Sequence, residues 1–160
     1  MIRNVTPEDA ADICSIYNYY IKNSIATFDE SPMTPEEIAL KIKKTTARYP
    51  WLVFELENSV GGFCYAFEWK SRPAYKLTVE TTVYVANEYR ESGIGKALLS
   101  SLLKMLKEYN FRNALGSIAL PNEKSISLHE HLGYKKLGII QKAGIKFGKE
   151  IDVGLWQKRL

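Results

Sequence analysis

Apolar side chains at Ile13, Ile16, Tyr17, Tyr20 and Ile21 recur at three- and four-residue spacing, the period that lines up one face of a helix. Ahead of them, Thr6-Pro7-Glu8-Asp9 sets a hydroxyl cap, a proline at the first helical position and an acid three residues past the cap, so a first helix is predicted from there. Thr34-Pro35-Glu36-Glu37 repeats the signal before Ile38, Leu40 and Ile42, and predicts a second helix ending near Arg48-Tyr49-Pro50. The period then shortens. Residues 51–56, 60–69 and 74–85 are rich in β-branched and aromatic side chains, and Asn58 with Gly61-Gly62 supplies turn chemistry between the first two. Three antiparallel strands are predicted. From Gly93 a stripe of Leu98, Leu99, Leu102, Leu103 and Leu106 predicts a helix with one face buried on a sheet. A strand over residues 112–119 follows, then a short helix capped by Asn122, running to about Leu132 and stopping at Gly133. Two last strands over residues 134–142 and 150–158 complete the chain.

The order of these elements, with a strand-helix-strand unit in its middle, predicts an α/β (mixed α+β) fold in which helices flank one mixed sheet. At 160 residues without repeats, linkers or low-complexity tracts, the expectation is a single domain over residues 1–160. A composition of 46% hydrophobic and 25% charged residues suits a packed globular core and argues against disorder. No run of about 18 apolar residues is present, and the opening MIRNVTPEDAADIC is polar where a signal peptide needs an apolar stretch. A cytoplasmic protein without a membrane partner is therefore expected. Cys14 and Cys64 lie in apolar patterns without CxxC spacing, which predicts buried free thiols and neither a disulfide nor a metal site. The net charge of +4 is mild and its basic residues are scattered among acids, so no nucleic-acid partner is expected. That balance also suits a small anionic ligand carrying several phosphates.

One motif stands out chemically. Arg90-Glu91-Ser92-Gly93-Ile94-Gly95-Lys96 falls between the strand ending Thr82-Val83-Tyr84-Val85 and the Leu-rich helix. Backbone N–H groups at a helix start lack internal acceptors and the dipole there is positive, so glycines that let the backbone approach make a pyrophosphate site. Arg90 and Lys96 add charge. A Walker loop needs glycine at position 90 and Ser or Thr at 97, where this chain has Arg90 and Ala97. A dinucleotide fingerprint needs a third glycine where Leu98 stands.

Arg/Gln-x-x-Gly-x-Gly/Ala at such a junction resembles the acetyl-CoA loop of the GNAT acetyltransferase superfamily. From the first helix through Trp156 the chain resembles that superfamily's phosphinothricin N-acetyltransferase branch. The resemblance is carried by Ile16-Tyr17-Asn18-Tyr19-Tyr20, Ala26-Thr27-Phe28, Tyr49-Pro50-Trp51-Leu52-Val53, Trp69-Lys70-Ser71-Arg72-Pro73-Ala74-Tyr75, Glu80-Thr81-Thr82-Val83-Tyr84-Val85 and residues 122–134. It implies a twisted sheet splayed in the middle, with acetyl-CoA as co-substrate and no metal. Val83, Tyr84 and Val85 match the strand that pairs with the pantetheine arm, and Asn122 and Ser125 match further coenzyme contacts. Glu80 matches the base that receives the amine's proton, directly or through one water. His129 stands where many superfamily members carry a tyrosine that protonates the departing thiolate, and where this branch has histidine.

Lys70, Arg72 and Tyr75 match positions that hold the acceptor's acidic groups, with Thr27 and Phe28 walling the same pocket. Phe147, in residues 143–148, departs from the histidine of some relatives. The resemblance thus implies acetylation of the amine of phosphinothricin, methionine sulfoximine or a related amino acid by a homodimeric enzyme. The alternatives are another small amine or a peptide as acceptor, or a CoA-binding sensor that keeps the fold without turnover.

Overall fold

The structure, a computed structural model, describes residues 1–57 and 59–160, so the turn expected at Asn58 lies outside the described residues. Its elements are β1 (Ile2–Asn4), α1 (Ala10–Asn23), α2 (Pro35–Thr46), β2 (Trp51–Glu55), β3 (Val60–Glu68), β4 (Thr78–Val85), α3 (Ile94–Glu108), β5 (Asn113–Ala119), α4 (Glu123–His131), β6 (Lys135–Lys146) and β7 (Lys149–Arg159). The strands form one sheet in the order β1-β2-β3-β4-β5-β7-β6. Every neighbouring pair is antiparallel except β4 with β5, which α3 links as a parallel crossover. This is the mixed sheet flanked by helices that the element order predicts.

Four local features differ from expectation, each for a physical reason. The strand β1 is three residues long and carries no alternation to read. It exists because it pairs with β2, Ile2 opposite Phe54. Pro7–Asp9 forms a 3-10 turn before α1, held by the Asp9 carboxylate accepting from the Thr6 N–H at 2.8 Å and from both Arg3 terminal nitrogens at 2.8 Å. The strand expected from residue 74 starts at Thr78, because Pro73 has no N–H to give a ladder and instead begins a 3-10 turn over Pro73–Tyr75. Finally β6 continues past residue 142 to Lys146 through a register shift between Ile140 and Gly144, so residues 143–146 are strand rather than loop.

The core divides between the two sheet faces, and strand alternation decides which residue serves which. Ile13, Tyr17, Ile21, Ile38 and Ile42 of α1 and α2 pack on Trp51, Val53, Phe63, Tyr65 and Tyr84. On the other face Leu98, Leu99, Leu102 and Leu106 of α3 pack on Leu52, Cys64, Ala66, Val79, Ala114 and Trp156. Each such leucine removed from water stabilises the fold by about 1.5–3 kcal/mol. Cys14 and Cys64 are free and buried.

The hairpin β6–β7 is tied back to the opposite end of the molecule. Lys146 is 2% exposed, and its ammonium donates to the carbonyls of Ser24 at 2.6 Å and Thr27 at 2.7 Å in the connection between α1 and α2. Burying an ammonium is tolerable only with such partners.

Candidate active site in the splay between β4 and β5

The parallel ladder has three pairs: Thr78 with Asn113, Val79 with Ala114 and Glu80 with Leu115. Beyond Glu80, β4 runs on to Val85 and β5 to Ala119 without pairing, so the strands diverge. A wedge holds the apex. The Thr81 hydroxyl donates to the Leu115 carbonyl at 3.2 Å and shares a 2.8 Å hydrogen bond with the Tyr134 hydroxyl. The divergence opens a cleft of about 870 Å³ lined by Thr82, Val83 and Val85 from β4, Ser117 and Ala119 from β5, Tyr20 near the end of α1, Gly93, Gly95 and Lys96 at the start of α3, and Asn122, Ser125 and His129 around α4. An extended ligand with amide groups pairs with such an unladdered strand as an added strand would.

One end of the cleft carries unpaired main-chain N–H groups. The first bond within α3 runs from the Ala97 N–H to the Gly93 carbonyl at 3.0 Å, which leaves the N–H groups of Ile94, Gly95 and Lys96 without helical acceptors. Gly93 sits at φ +86, a left-handed conformation that side chains resist, although nothing lies within 4 Å of where a β carbon would be. Its requirement is therefore backbone angle rather than space. The Ile94 side chain is buried in the core, so only its backbone serves this end. Ser92 turns its hydroxyl to the Tyr89 carbonyl at 2.5 Å. Glu91 is ion-paired with Lys124, which holds its carboxyl below the usual range and joins the loop to α4. The Arg90 guanidinium lies 5.4 Å and 5.2 Å from the Tyr19 and Tyr20 ring centroids. Asn122 caps α4 by accepting from the Ser125 N–H at 3.1 Å, leaving its side-chain amide nitrogen for a ligand.

At the closed end stand two titratable groups on opposite sides of the sheet. Glu80 is partly buried at the last ladder pair, and burial pushes its carboxyl above the usual range, partly offset by a hydrogen bond from Ser117. Ser117 lines the cleft, whereas Glu80 itself does not. His129 is 5% exposed and its ring lies on Gly116, where a β carbon would stand 2.9 Å from both Cδ2 and Nε2. Its Nδ1 is 2.7 Å from the Ser125 carbonyl, which only accepts, so Nδ1 carries the proton and Nε2 presents a lone pair. Burial lowers its pKa below the ordinary imidazole value, so the ring is neutral at pH 7.

Residues 2–155 match the acetyltransferase (GNAT) domain family. The chain belongs to the GNAT acetyltransferase family. It is 43% identical to the phosphinothricin N-acetyltransferase of Streptomyces viridochromogenes, over 98% of this chain and 86% of that one. It is 31% identical to an L-methionine sulfoximine/L-methionine sulfone acetyltransferase of Pseudomonas aeruginosa, over 99% and 94%. The crystal structure of a GNAT phosphinothricin acetyltransferase from Sinorhizobium meliloti in complex with acetyl-CoA superposes with a TM-score of 0.96 at 33% identity, covering all of this chain and 88% of that one.

Within this GNAT domain the acceptor residues expected from sequence are more dispersed than the coenzyme residues. Lys70 and Arg72 are exposed on the connection between β3 and β4, the Lys70 ammonium 4.6 Å and 5.6 Å from the Trp69 and Tyr75 ring centroids. None of Lys70, Arg72 and Tyr75 lines the cleft. The buried Thr27 hydroxyl shares a 2.8 Å bond with Tyr17 and accepts from the Asp29 N–H, which makes it part of a local network. Phe28 is 39% exposed and packs against Gly144 of β6. Sequence reasoning missed Tyr20, Ser117 and Lys124. Tyr20 reads as one more apolar helix position, yet its hydroxyl donates to the Val85 carbonyl at 2.7 Å, at the rim of the divergence. Ser117 carries a signal only once β5 is placed in register with β4.

Proposed function

We propose that this acyltransferase moves the acetyl group of acetyl-CoA to the α-amine of a small amino-acid-like acceptor such as phosphinothricin or methionine sulfoximine, with the whole chain acting as one catalytic domain in the cytoplasm. The observation that carries the reading is the divergence of β4 from β5, with unsatisfied helix N–H groups at one end and the partly buried Glu80 at the last ladder pair where the strands part. The names of the relatives support the acceptor class.

In this reading Gly93, Ile94, Gly95 and Lys96 hold the pyrophosphate through backbone N–H groups, while Arg90, Lys96 and Lys124 supply charge. Asn122 and Ser125 contact the pantetheine, whose amides pair with the backbone of Val83, Tyr84 and Val85. Glu80 takes the ammonium proton, directly or through one water. The free amine then attacks the thioester carbon, its oxygen polarised by a backbone N–H near Val83. The new C–N bond forms as the C–S bond breaks, and the proton that the attacking nitrogen sheds on becoming an amide passes to the departing thiolate. Because His129 is neutral with Nδ1 committed to Ser125, Nε2 acts as an acceptor in that proton path rather than as a standing acid. Lys70, Arg72 and Tyr75 receive the acceptor's acidic groups, and Thr27 and Phe28 wall its pocket.

The exposed apolar side chains Leu137, Ile139, Ile140, Ile145 and Phe147 of the β6–β7 hairpin support a homodimer in which a second copy covers them. Phe28 packs on Gly144 of the same hairpin, so the interface would adjoin the acceptor wall. Ile145→Glu is expected to convert the dimer to monomer at micromolar concentration in light scattering. A wild-type monomer at that concentration removes the dimer. Among the described residues no helix is long and apolar enough to cross a membrane.

The acceptor is tested by measuring thiol released from acetyl-CoA with phosphinothricin, methionine sulfoximine, free amino acids and other amines. The highest kcat/KM is expected for one of the first two. If another amine leads, the acetyltransferase remains but Lys70, Arg72 and Tyr75 lose their roles. Acetyl-CoA binding with no transfer to any amine or peptide favours a sensor.

A further inference from the structure

We infer that Lys41 is a further acceptor-binding residue, holding an acidic group of the incoming amino acid on the Glu80 face of the sheet. The inference rests on the amino-acid acceptor proposed above. Lys41 lies on α2 three residues after Ile38 and beside Ile42, both buried on the sheet, so its stem starts at the flank of the helix face that packs. Its ammonium comes to 5.3 Å from the Tyr17 ring centroid and 5.2 Å from that of Tyr65.

What sets Lys41 apart is a lack of partners combined with burial. Among the described residues no hydrogen bond or ion pair reaches its ammonium, and burial lowers its pKa while the more distant Asp29 opposes that shift. The contrast with Lys146 is direct, for there the fold supplies two carbonyls to an ammonium of purely structural use. Aromatic faces attract a cation but satisfy none of its three N–H donors. The Tyr65 hydroxyl also makes no hydrogen bond among the described residues, whereas the Tyr17 hydroxyl is engaged by Thr27 and Asp29. The ammonium over the Tyr65 ring and the phenol of that ring thus both lack an acceptor among the described residues.

Strand register places that pair of groups near the chemistry. Tyr65 stands opposite Thr82, which lines the cleft, and Phe67 stands opposite Glu80. The Tyr65 and Phe67 ring centroids are 5.7 Å apart, so Tyr65 is the next side chain along from the one facing Glu80 on the same side of the sheet. An acceptor whose amine reaches Glu80 can therefore extend an acidic group towards Tyr65 and Lys41. A simple amine without such a group meets only a like charge there, so Lys41 favours amino acids over plain amines.

The test compares wild type with Lys41→Met and Lys41→Gln in steady-state acetyl transfer to phosphinothricin, which carries a carboxylate and a phosphinate, and to methionine sulfoximine, which carries a carboxylate alone. Each variant is first checked for unchanged thermal stability and an unchanged KM for acetyl-CoA. Loss of a charge-assisted hydrogen bond should raise the acceptor KM about ten- to hundredfold, with kcat changed by less than about threefold. A rise for both acceptors assigns the carboxylate to Lys41, and a rise for phosphinothricin alone assigns the phosphinate. An unchanged KM for both in either folded variant overturns the role of Lys41 and leaves the acceptor reading standing. A wild-type protein that acetylates neither compound overturns that reading, and the inference with it.

Discussion

Gly93→Glu is expected to raise the dissociation constant for acetyl-CoA roughly a thousandfold, from about 1–2 kcal/mol of left-handed backbone strain plus like-charge juxtaposition of a few kcal/mol. The added β carbon itself meets no crowding, because no atom lies within 4 Å of it. The charge term arises where the free N–H groups of Ile94, Gly95 and Lys96 would meet pyrophosphate, and a carboxylate there competes for the same donors. Gly93→Ala carries the backbone term alone and should weaken binding only about tenfold. Titration calorimetry with acetyl-CoA separates the two. Unchanged affinity in Gly93→Glu would falsify the loop assignment, and equal loss in both variants would make the turn, not the charge, the decisive property.

Glu80→Gln should lower kcat by about two to four orders of magnitude, the range for removing a positioned general base, while sparing acetyl-CoA affinity. The pH dependence carries more information than the rate. Burial raises the Glu80 pKa, and below that value the carboxyl already holds a proton and cannot take one from the ammonium. Wild-type kcat/KM should therefore climb through an acid limb placed above the ordinary carboxylate range. Glutamine has nothing to titrate, so that limb should vanish and the residual rate should follow only deprotonation of the acceptor amine. A limb that survives in Glu80→Gln moves the base elsewhere. His129 would then be the next candidate, since its Nε2 presents a lone pair and the residue lines the cleft.

Much of the coenzyme end could be read from the chain because its signals are local. The leucine stripe of α3, Gly93 before it and Asn122 before α4 are each complete within one or two helical turns, and each lies where expected. The acceptor side depends on contacts between distant segments. Lys41 reads as one of three lysines on a polar helix flank until α1 and β3 bring Tyr17 and Tyr65 beneath it, and Tyr20 reads as core until Val85 arrives 65 residues later. The divergence has no signature in residues 78–85 at all. What ends the ladder is the Thr81, Tyr134 and Leu115 contact assembled from three parts of the chain. The early stop of the strand expected over residues 134–142 has the same origin, because only the cross-strand partners on β7 carry β6 past its register shift.

Strand β4 has a consequence for how such proteins change over generations. Its main chain offers the amides proposed to meet the coenzyme, while Glu80, Thr82 and Tyr84 face α1 and α2, and Val79, Thr81 and Val83 face α3 and α4. Only a change to proline removes a main-chain N–H, and no other point mutation alters those peptide groups. In a lineage descending from this protein, selection for a new amine is free to rewrite Lys41, Tyr65 or Thr82 without disturbing the acetyl donor, so the two specificities can be inherited separately although one strand carries both.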